Sequence, residues 1–401
     1  MSVTPAAASS RRSEPIQLPE PYPDSAIAEL VARFGSPLML IDCARIRARY
    51  LALSAALPDV LICYALKPLP EAAVVATLRD LGSGFDLASG GEIDLVRGQG
   101  VDPRRCIHTH PIKRDSDIRD GLRFGIRTFV ADNPDELGKF VRHRKRAQVL
   151  LRVALRSGAA VCDLSRKFGC EPEAVPELLA LARRLGVRVS GLSFHIGSQA
   201  LASAGHVAAI ETCAALMEAA RRAGSPLDTL DIGGGFPAPY LEPVLSIEEY
   251  CAPVRAALAR LPAGIQVLAE PGRYLVAEAG TCVATVVGRA RRDGRWWYYL
   301  DDGLYGSYSG QLYDHMTYPV AALKDGPLEP SVLAGPTCDS IDVIRENVPL
   351  PELEIGDLIV GRVMGAYTHA CATDFNFLPR ARVVAVNSVV PGESRAASGD
   401  G

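Results

Sequence analysis

The chain has 401 residues, with 43 Lys and Arg against 46 Asp and Glu, giving a net charge of −3. That length exceeds one ordinary core, so two domains are expected, and the slight negative charge opposes a nucleic-acid partner. No run approaches the ~18 uninterrupted apolar residues of a membrane span, and no apolar leader opens the chain, so a soluble cytoplasmic protein is expected.

Taken in order, residues 1–20 are small, polar and proline-containing and read as a disordered tail. Glu14 and weak amphipathicity oppose a transit peptide there. Residues 21–45 form an N-terminal segment whose apolar run Leu38–Ile41 is expected to join a later β domain. From 46 to 275, short apolar runs alternate with amphipathic stretches. Strand candidates are 61–66, 84–88, 106–109, 128–131, 149–154, 191–196, 228–232 and 266–270. Helical periodicity falls on Glu71–Leu81, Glu92–Gln99, Pro134–Val141, Pro176–Leu185 and His206–Ala223. Apolar runs linked by helical crossovers imply a parallel sheet covered on both faces. Eight such units point to an α/β fold, a (β/α)8 TIM-type barrel; an open doubly wound sheet is the alternative.

The pattern changes over 276–391, where Val283–Val287, Trp296–Leu300, Leu358–Val363 and Ala381–Val386 are β-rich. An antiparallel β domain is expected there, followed by a disordered tail over 392–401. The basic cluster Arg142–Arg146 reads as a solvated helix end. The ten cysteines form no CxxC pair, so neither a disulfide frame nor a metal site is expected.

A barrel places catalytic groups just past the carboxyl ends of its strands. Lys67, Asp86, Arg152, His195, Gly233 and Glu270 all fall there. Lys67 follows an apolar strand and precedes Pro68. Burial would lower its pKa and free the lone pair to join an aldehyde cofactor. Asp231-Ile-Gly-Gly-Gly-Phe-Pro-Ala formally matches the dinucleotide fingerprint, but Pro237 and Pro239 oppose a helix starting there. Bare N–H groups of Gly233, Gly234 and Gly235 facing a phosphate fit better, with Arg273 adding charge.

Glu270, three residues before Arg273, could hold a pyridine nitrogen protonated, and His195 could stack on the ring. Cys338-Asp339 follows a Gly-Pro-Thr turn that can project a thiol to protonate a carbanion and an acid to read an ammonium. Asp314, in Tyr313-Asp314-His315, is a second candidate for that ammonium, and Tyr367 offers a phenol for the phosphate. Each residue alone has a bland reading: a loop lysine, a tight turn, a structural ion pair or a core histidine. Together they are the parts of a pyridoxal 5′-phosphate (PLP) site.

These motifs resemble the fold type III PLP-dependent decarboxylases, the ornithine/diaminopimelate/arginine decarboxylase family. The likeness runs from about Pro37 to Arg380. It is carried most specifically by Gly335-Pro-Thr-Cys-Asp339, Gly365-Ala-Tyr-Thr368, Leu164-Ser-Arg-Lys-Phe-Gly169 and Leu312-Tyr-Asp-His315. The resemblance implies that Lys67 holds PLP, His195 stacks on the ring and Glu270 pairs with the pyridinium. Ser198, Gly233–Gly235, Arg273 and Tyr367 would hold the phosphate, with Asp86 and Arg152 as supporting groups. It implies Lys67 and Cys338 as catalytic residues, and Tyr313, Asp314, Cys338 and Asp339 as substrate-binding ones.

It also implies a homodimer with shared sites, in which Cys338 and Asp339 reach the opposite pocket and Lys167 and Asp342 pair across the interface. Diaminopimelate decarboxylases typically carry Cys-Glu-Ser where this chain has Cys338-Asp339-Ser340. An acid at 339 suits a distal ammonium, so L-ornithine decarboxylation to putrescine in polyamine biosynthesis is expected. Lysine or another diamino acid is the alternative, then diaminopimelate. A catalytically inactive decarboxylase-like regulator is the non-enzyme alternative, opposed by the presence of both Lys67 and Cys338. Two departures stand out: Pro68-Leu69-Pro70 after the lysine, and Asp374-Phe-Asn-Phe377, which lacks the glycine that normally follows the asparagine.

Overall fold

The computed structural model describes residues 16–19, 21–155, 160–162 and 166–388. Both expected tails, and Leu164 and Ser165 of the motif above, lie wholly or mostly outside them.

Strand β1 (Leu38–Asp42) leads into the helix Cys43–Ala56, which Asp42 caps by accepting from Ala44 N at 2.8 Å and Arg45 N at 3.2 Å. Next come β2 (Val60–Ala65), β3 (Gly84–Leu87), β4 (Cys106–His108), β5 (Thr128–Ala131) and β6 (Gln148–Val153). A small hairpin is made by β7 (Ala160–Cys162) and β9 (Ser198–Ala200), on either side of β8 (Val189–Phe194). Then β10 (Thr229–Asp231) and β11 (Gln266–Ala269) complete a closed parallel barrel in the order β2-β3-β4-β5-β6-β8-β10-β11. All eight barrel strands fall on the predicted runs. The closed order removes the doubly wound alternative.

Helices fill the crossovers, including Ala72–Asp80, Gly90–Gly98, Val175–Leu185 and Ala204–Arg222. Their chemistry sets their ends: Ser89 caps one start, and Gly186, with φ +66°, closes another in the left-handed region. The interior is mainly apolar, with Tyr64, Phe85, Phe129, Phe194 and Ile232 essentially inaccessible.

The second sheet contains β12 (Gly280–Arg292), β13 (Arg295–Leu300), β14 (Val320–Ala322), β15 (Glu329–Ala334), β16 (Val343–Leu350), β17 (Leu358–Arg362) and β18 (Arg382–Val386). Strand β1 joins it between β12 and β18, as Leu38–Ile41 suggested. The sheet is mixed rather than purely antiparallel, because β13 runs parallel to β15 and β1 parallel to β18. Both parallel pairs join segments far apart along the chain or linked by a long crossover, which strand composition does not reveal.

Among the described residues no helix is long and apolar enough to cross a membrane. No group of three or more His, Cys, Asp or Glu there could hold a metal ion.

Candidate active site

Strand ends converge at one mouth of the barrel. Lys67 lies two residues past β2, His195 and Glu270 directly after β8 and β11, and Gly233 two past β10. Asp86 and Arg152 are still inside the last turns of β3 and β6 rather than beyond them. Lys67 Nζ lies 3.7 Å from Asp86 Oδ2, with the lysine side chain 44% exposed and the aspartate 3%. The Thr109 hydroxyl donates to Asp86.

The expectation that burial leaves Lys67 with a lowered pKa does not hold for this chain. Low-dielectric surroundings pull it down, but Asp86, Tyr367 and Glu270 outweigh them and the net direction is up. Asp86 thus favours the ammonium form of Lys67.

Glu270 is buried, and its Oε1 has no hydrogen-bond partner. Burial, then repulsion from Asp231 and Asp86, raises its pKa well above the usual carboxyl range. A buried acid lacking a donor calls for a cation or a donor at that point. His195 is held neutral by burial, with Arg152 and Lys67 adding to the effect, and its Nδ1 accepts from Gly197 N at 3.1 Å. A neutral ring is what stacking on a flat cofactor requires. Arg152, placed over the Phe168 ring at 5.5 Å, lines a small cavity with Thr109, His195 and Glu270.

The glycine run makes a cradle that only glycine permits. A Cβ at Gly233 would stand 2.2 Å from Phe194 O, and one at Gly235 2.6 Å from Gly197 O, with φ of +65° and +107° respectively. A Cβ at Gly234 would approach His195 Nε2 to 3.2 Å, so the run lies against the edge of that ring. Of the three N–H groups assigned to a phosphate, Gly233's is already donated to Asp231 Oδ1 at 2.9 Å. Those of Gly234 and Gly235 have no hydrogen bond among the described residues.

Arg273 faces this cradle. Its Nη2 donates to Ser198 Oγ at 2.8 Å, its Nη1 to Tyr240 OH at 2.6 Å, and Tyr367 lies 5.1 Å away. The guanidinium also forms a buried pair with Asp314. Asp314, expected to read a substrate ammonium, is thus on Arg273 here, and Tyr313 beside it is exposed. Tyr367 N donates to Pro68 O at 3.0 Å, and Pro68 Cγ would lie 2.7 Å from a Cβ on Gly272. The unusual Pro68 therefore packs into the base of the site.

Cys338 and Asp339 sit elsewhere. Cys338 is exposed, with Sγ and N both 3.2 Å from Asn376 Oδ1. Asp339 accepts from Tyr305 OH, which lowers its pKa, and Tyr305 stacks on Phe375 at 4.5 Å. None of their hydrogen bonds reaches Lys67, Glu270 or Arg273. Asn376 and Phe377 both have left-handed backbone, φ +55° and +56°, so the glycine missing from this segment is replaced by a strained phenylalanine. Asp342 is buried inside its own chain, accepting from Leu304 N at 2.7 Å and Thr337 Oγ1 at 2.7 Å.

Sequence reasoning missed Thr109, Asp231, Tyr240, Tyr305 and Asn376 as partners of site residues. Asp231, as the first residue of the glycine motif, and Asn376, in the segment Asp374–Phe377, carried a signal.

These groups fit PLP at both ends. An orphaned buried acid suits a pyridinium, and two free N–H groups with a guanidinium suit a phosphate. A lysine lies beside them for the aldehyde.

Comparison with known proteins agrees. Residues 43–277 match the family described as pyridoxal-dependent decarboxylase, pyridoxal binding domain. The crystal structure of lysine/ornithine decarboxylase from Vibrio vulnificus, complexed with putrescine, superposes with TM-score 0.88 at 50% identity, covering 93% of this chain and 100% of that one. Lysine/ornithine decarboxylase of Selenomonas ruminantium is 35% identical over 354 residues, 88% of this chain and 90% of the relative. Ornithine decarboxylase of Mus musculus is 35% identical over 368 residues, 86% and 80% of the two chains. The chain belongs to the pyridoxal-dependent decarboxylases that act on ornithine, lysine and arginine, and it is a PLP-dependent enzyme.

Proposed function

We propose that the chain decarboxylates L-ornithine to putrescine and CO2, as a cytoplasmic homodimer with shared sites. The observation that carries the substrate reading is Asp339 beside Cys338: a short acid on an exposed loop, held ionised by Tyr305. Leaving a substrate ammonium buried without a counter-charge costs several kcal/mol, so an acid there selects a basic side chain. Putrescine bound to the Vibrio vulnificus relative supports the same class.

Bound at the barrel mouth, PLP supplies the sink for the electron pair left when CO2 departs. Lys67 would hold the cofactor by its aldehyde end through Nζ. Glu270 keeps the proton on the pyridine nitrogen, and neutral His195 covers one ring face. Ser198, Gly234, Gly235, Arg273 and Tyr367 orient the ring by its phosphate end. Cys338, reaching in from a second copy, delivers a proton to Cα after CO2 is lost, and Asp339 beside it grips the distal ammonium across from Asp314 and Tyr313.

Support for the homodimer comes from the outward position of Cys338 and Asp339. Tyr313, Ile341, Phe375 and Phe377 around them are exposed, Phe377 at 97%. Exposed apolar groups around catalytic ones fit a surface completed by a second copy.

Lysine is the second reading, favoured by the dual lysine/ornithine names of two relatives. A screen of ornithine, lysine, arginine and diaminopimelate, with CO2 and the amine product both identified, tests the proposal. Turnover of diaminopimelate above ornithine would overturn it.

A further inference from the structure

Asp231 is a buried acid that no step above uses. It ends β10, paired in register with Leu268 of β11, two residues before Glu270. Ile232 N donates to Leu268 O at 2.9 Å and Glu270 N to Gly233 O at 2.8 Å, so the two strand ends are locked together. Asp231 is 1% exposed and Glu270 9%. Asp231 Oδ1 accepts from Gly233 N at 2.9 Å, while Asp231 Oδ2 and Glu270 Oε1 each lack a donor. The two acids lie close enough to perturb each other's ionisation, and neither orphaned oxygen has a donor from elsewhere.

Two ionised carboxylates this close, out of water, repel strongly, so the pair holds one proton between them. Burial lifts Asp231 to about 6, and burial with the nearby acids raises Glu270 well above the usual carboxyl range. Asp86, Lys67, Arg152 and the Cys63 thiol are the other ionisable groups facing the pair.

We propose that Asp231 is a positioning residue that stays protonated in the working enzyme and donates a hydrogen bond to the Glu270 carboxylate, fixing it against the pyridinium nitrogen. A pyridinium makes Glu270 the favoured anion, and the shared proton then stays on Asp231. Its Oδ1 is already committed to the backbone, which leaves Oδ2 to carry the hydrogen. Asp231 neutral, Glu270 negative and the ring positive give a buried set with no net charge, whereas two ionised acids would leave one negative charge in excess beside Asp86. The inference rests on the cofactor and not on which amino acid is decarboxylated.

The test strips PLP from the full-length protein and reloads it, following affinity by cofactor absorbance and ring protonation by the 15N shift of labelled PLP. Asp231→Asn keeps the acceptor for Gly233 N and offers an amide donor to Glu270. It should bind PLP within about threefold of the parent, with the pyridine nitrogen protonated. Asp231→Ala should weaken binding by about tenfold or more and reduce ring protonation. An Asn variant as damaged as Ala would show that the charge of Asp231 matters and would overturn the proposal. So would an Ala variant that matches the parent.

If the Ala variant does not fold, the Asn result decides alone: retained affinity supports the donor role and about tenfold loss rejects it. A parent protein that binds no PLP would sink the cofactor reading instead.

Discussion

Lys67 and Asp86 extend from neighbouring strands β2 and β3 and meet with Nζ 3.7 Å from Oδ2. The acid is fixed from behind by Thr109 and raises the lysine pKa, so it stores the amine in its protonated form. Removing the charge with Asp86→Asn should let the amine lose its proton at lower pH. The midpoint for covalent PLP attachment should fall by on the order of one pH unit, read from visible absorbance against pH. Lys67→Ala should abolish that absorbance.

Asp339 tests the substrate site separately from the cofactor site. Asp339→Ala should raise the KM for ornithine by about tenfold or more and leave the PLP saturation curve unchanged. Loss of PLP in this variant would assign Asp339 to cofactor support instead.

Arg273 carries both chemistry and stability. Arg273→Ala strips the guanidinium from buried Asp314, and removing one partner of a buried pair costs about 3 kcal/mol or more. The cofactor-free variant should unfold at lower denaturant than the parent, and its PLP affinity should also drop. Arg273→Lys keeps the charge but loses the multi-point grip on Ser198, Tyr240 and Asp314, and should fall between.

Acid sensitivity should come from two buried histidines. His108 has no partner on either ring nitrogen, and His206 stacks on Phe236 with only Nδ1 bonded, to Tyr250. Burial lowers both to about 4, against 6.5 in the unfolded chain. A depressed folded value means the unfolded state binds the proton first. Stability is therefore full above pH 6.5 and declines as the pH falls toward 4. Denaturant melts across that window should show the decline, and His206→Gln should make it shallower.

The barrel was legible because its strands are covered on both faces, so each reads as a near-continuous apolar run with a helical period after it. Strand-end chemistry followed from the same rule, which is why Lys67, His195 and Glu270 were found together. The helices Asp24–Phe34, Cys43–Ala56, Asp115–Phe124 and Ile247–Leu258 did not stand out in the sequence. Strands β14 to β16 were missed too, since β14 and the outer ends of the others are half exposed and carry no long apolar run. Asp314 on Arg273, and the commitment of Gly233 N–H to Asp231, are three-dimensional facts with no pattern along the chain. The net pKa of Lys67 was misjudged for the same reason: burial is suggested by neighbouring residues in sequence, whereas the opposing charge came from another strand.

The Arg273–Asp314 pair changes how a cofactor arrives. An incoming phosphate meets a guanidinium whose charge is already cancelled at close range, so long-range steering toward it is weak and added salt has little attraction to screen. A phosphate docking there would compete with the Asp314 carboxylate for the same guanidinium.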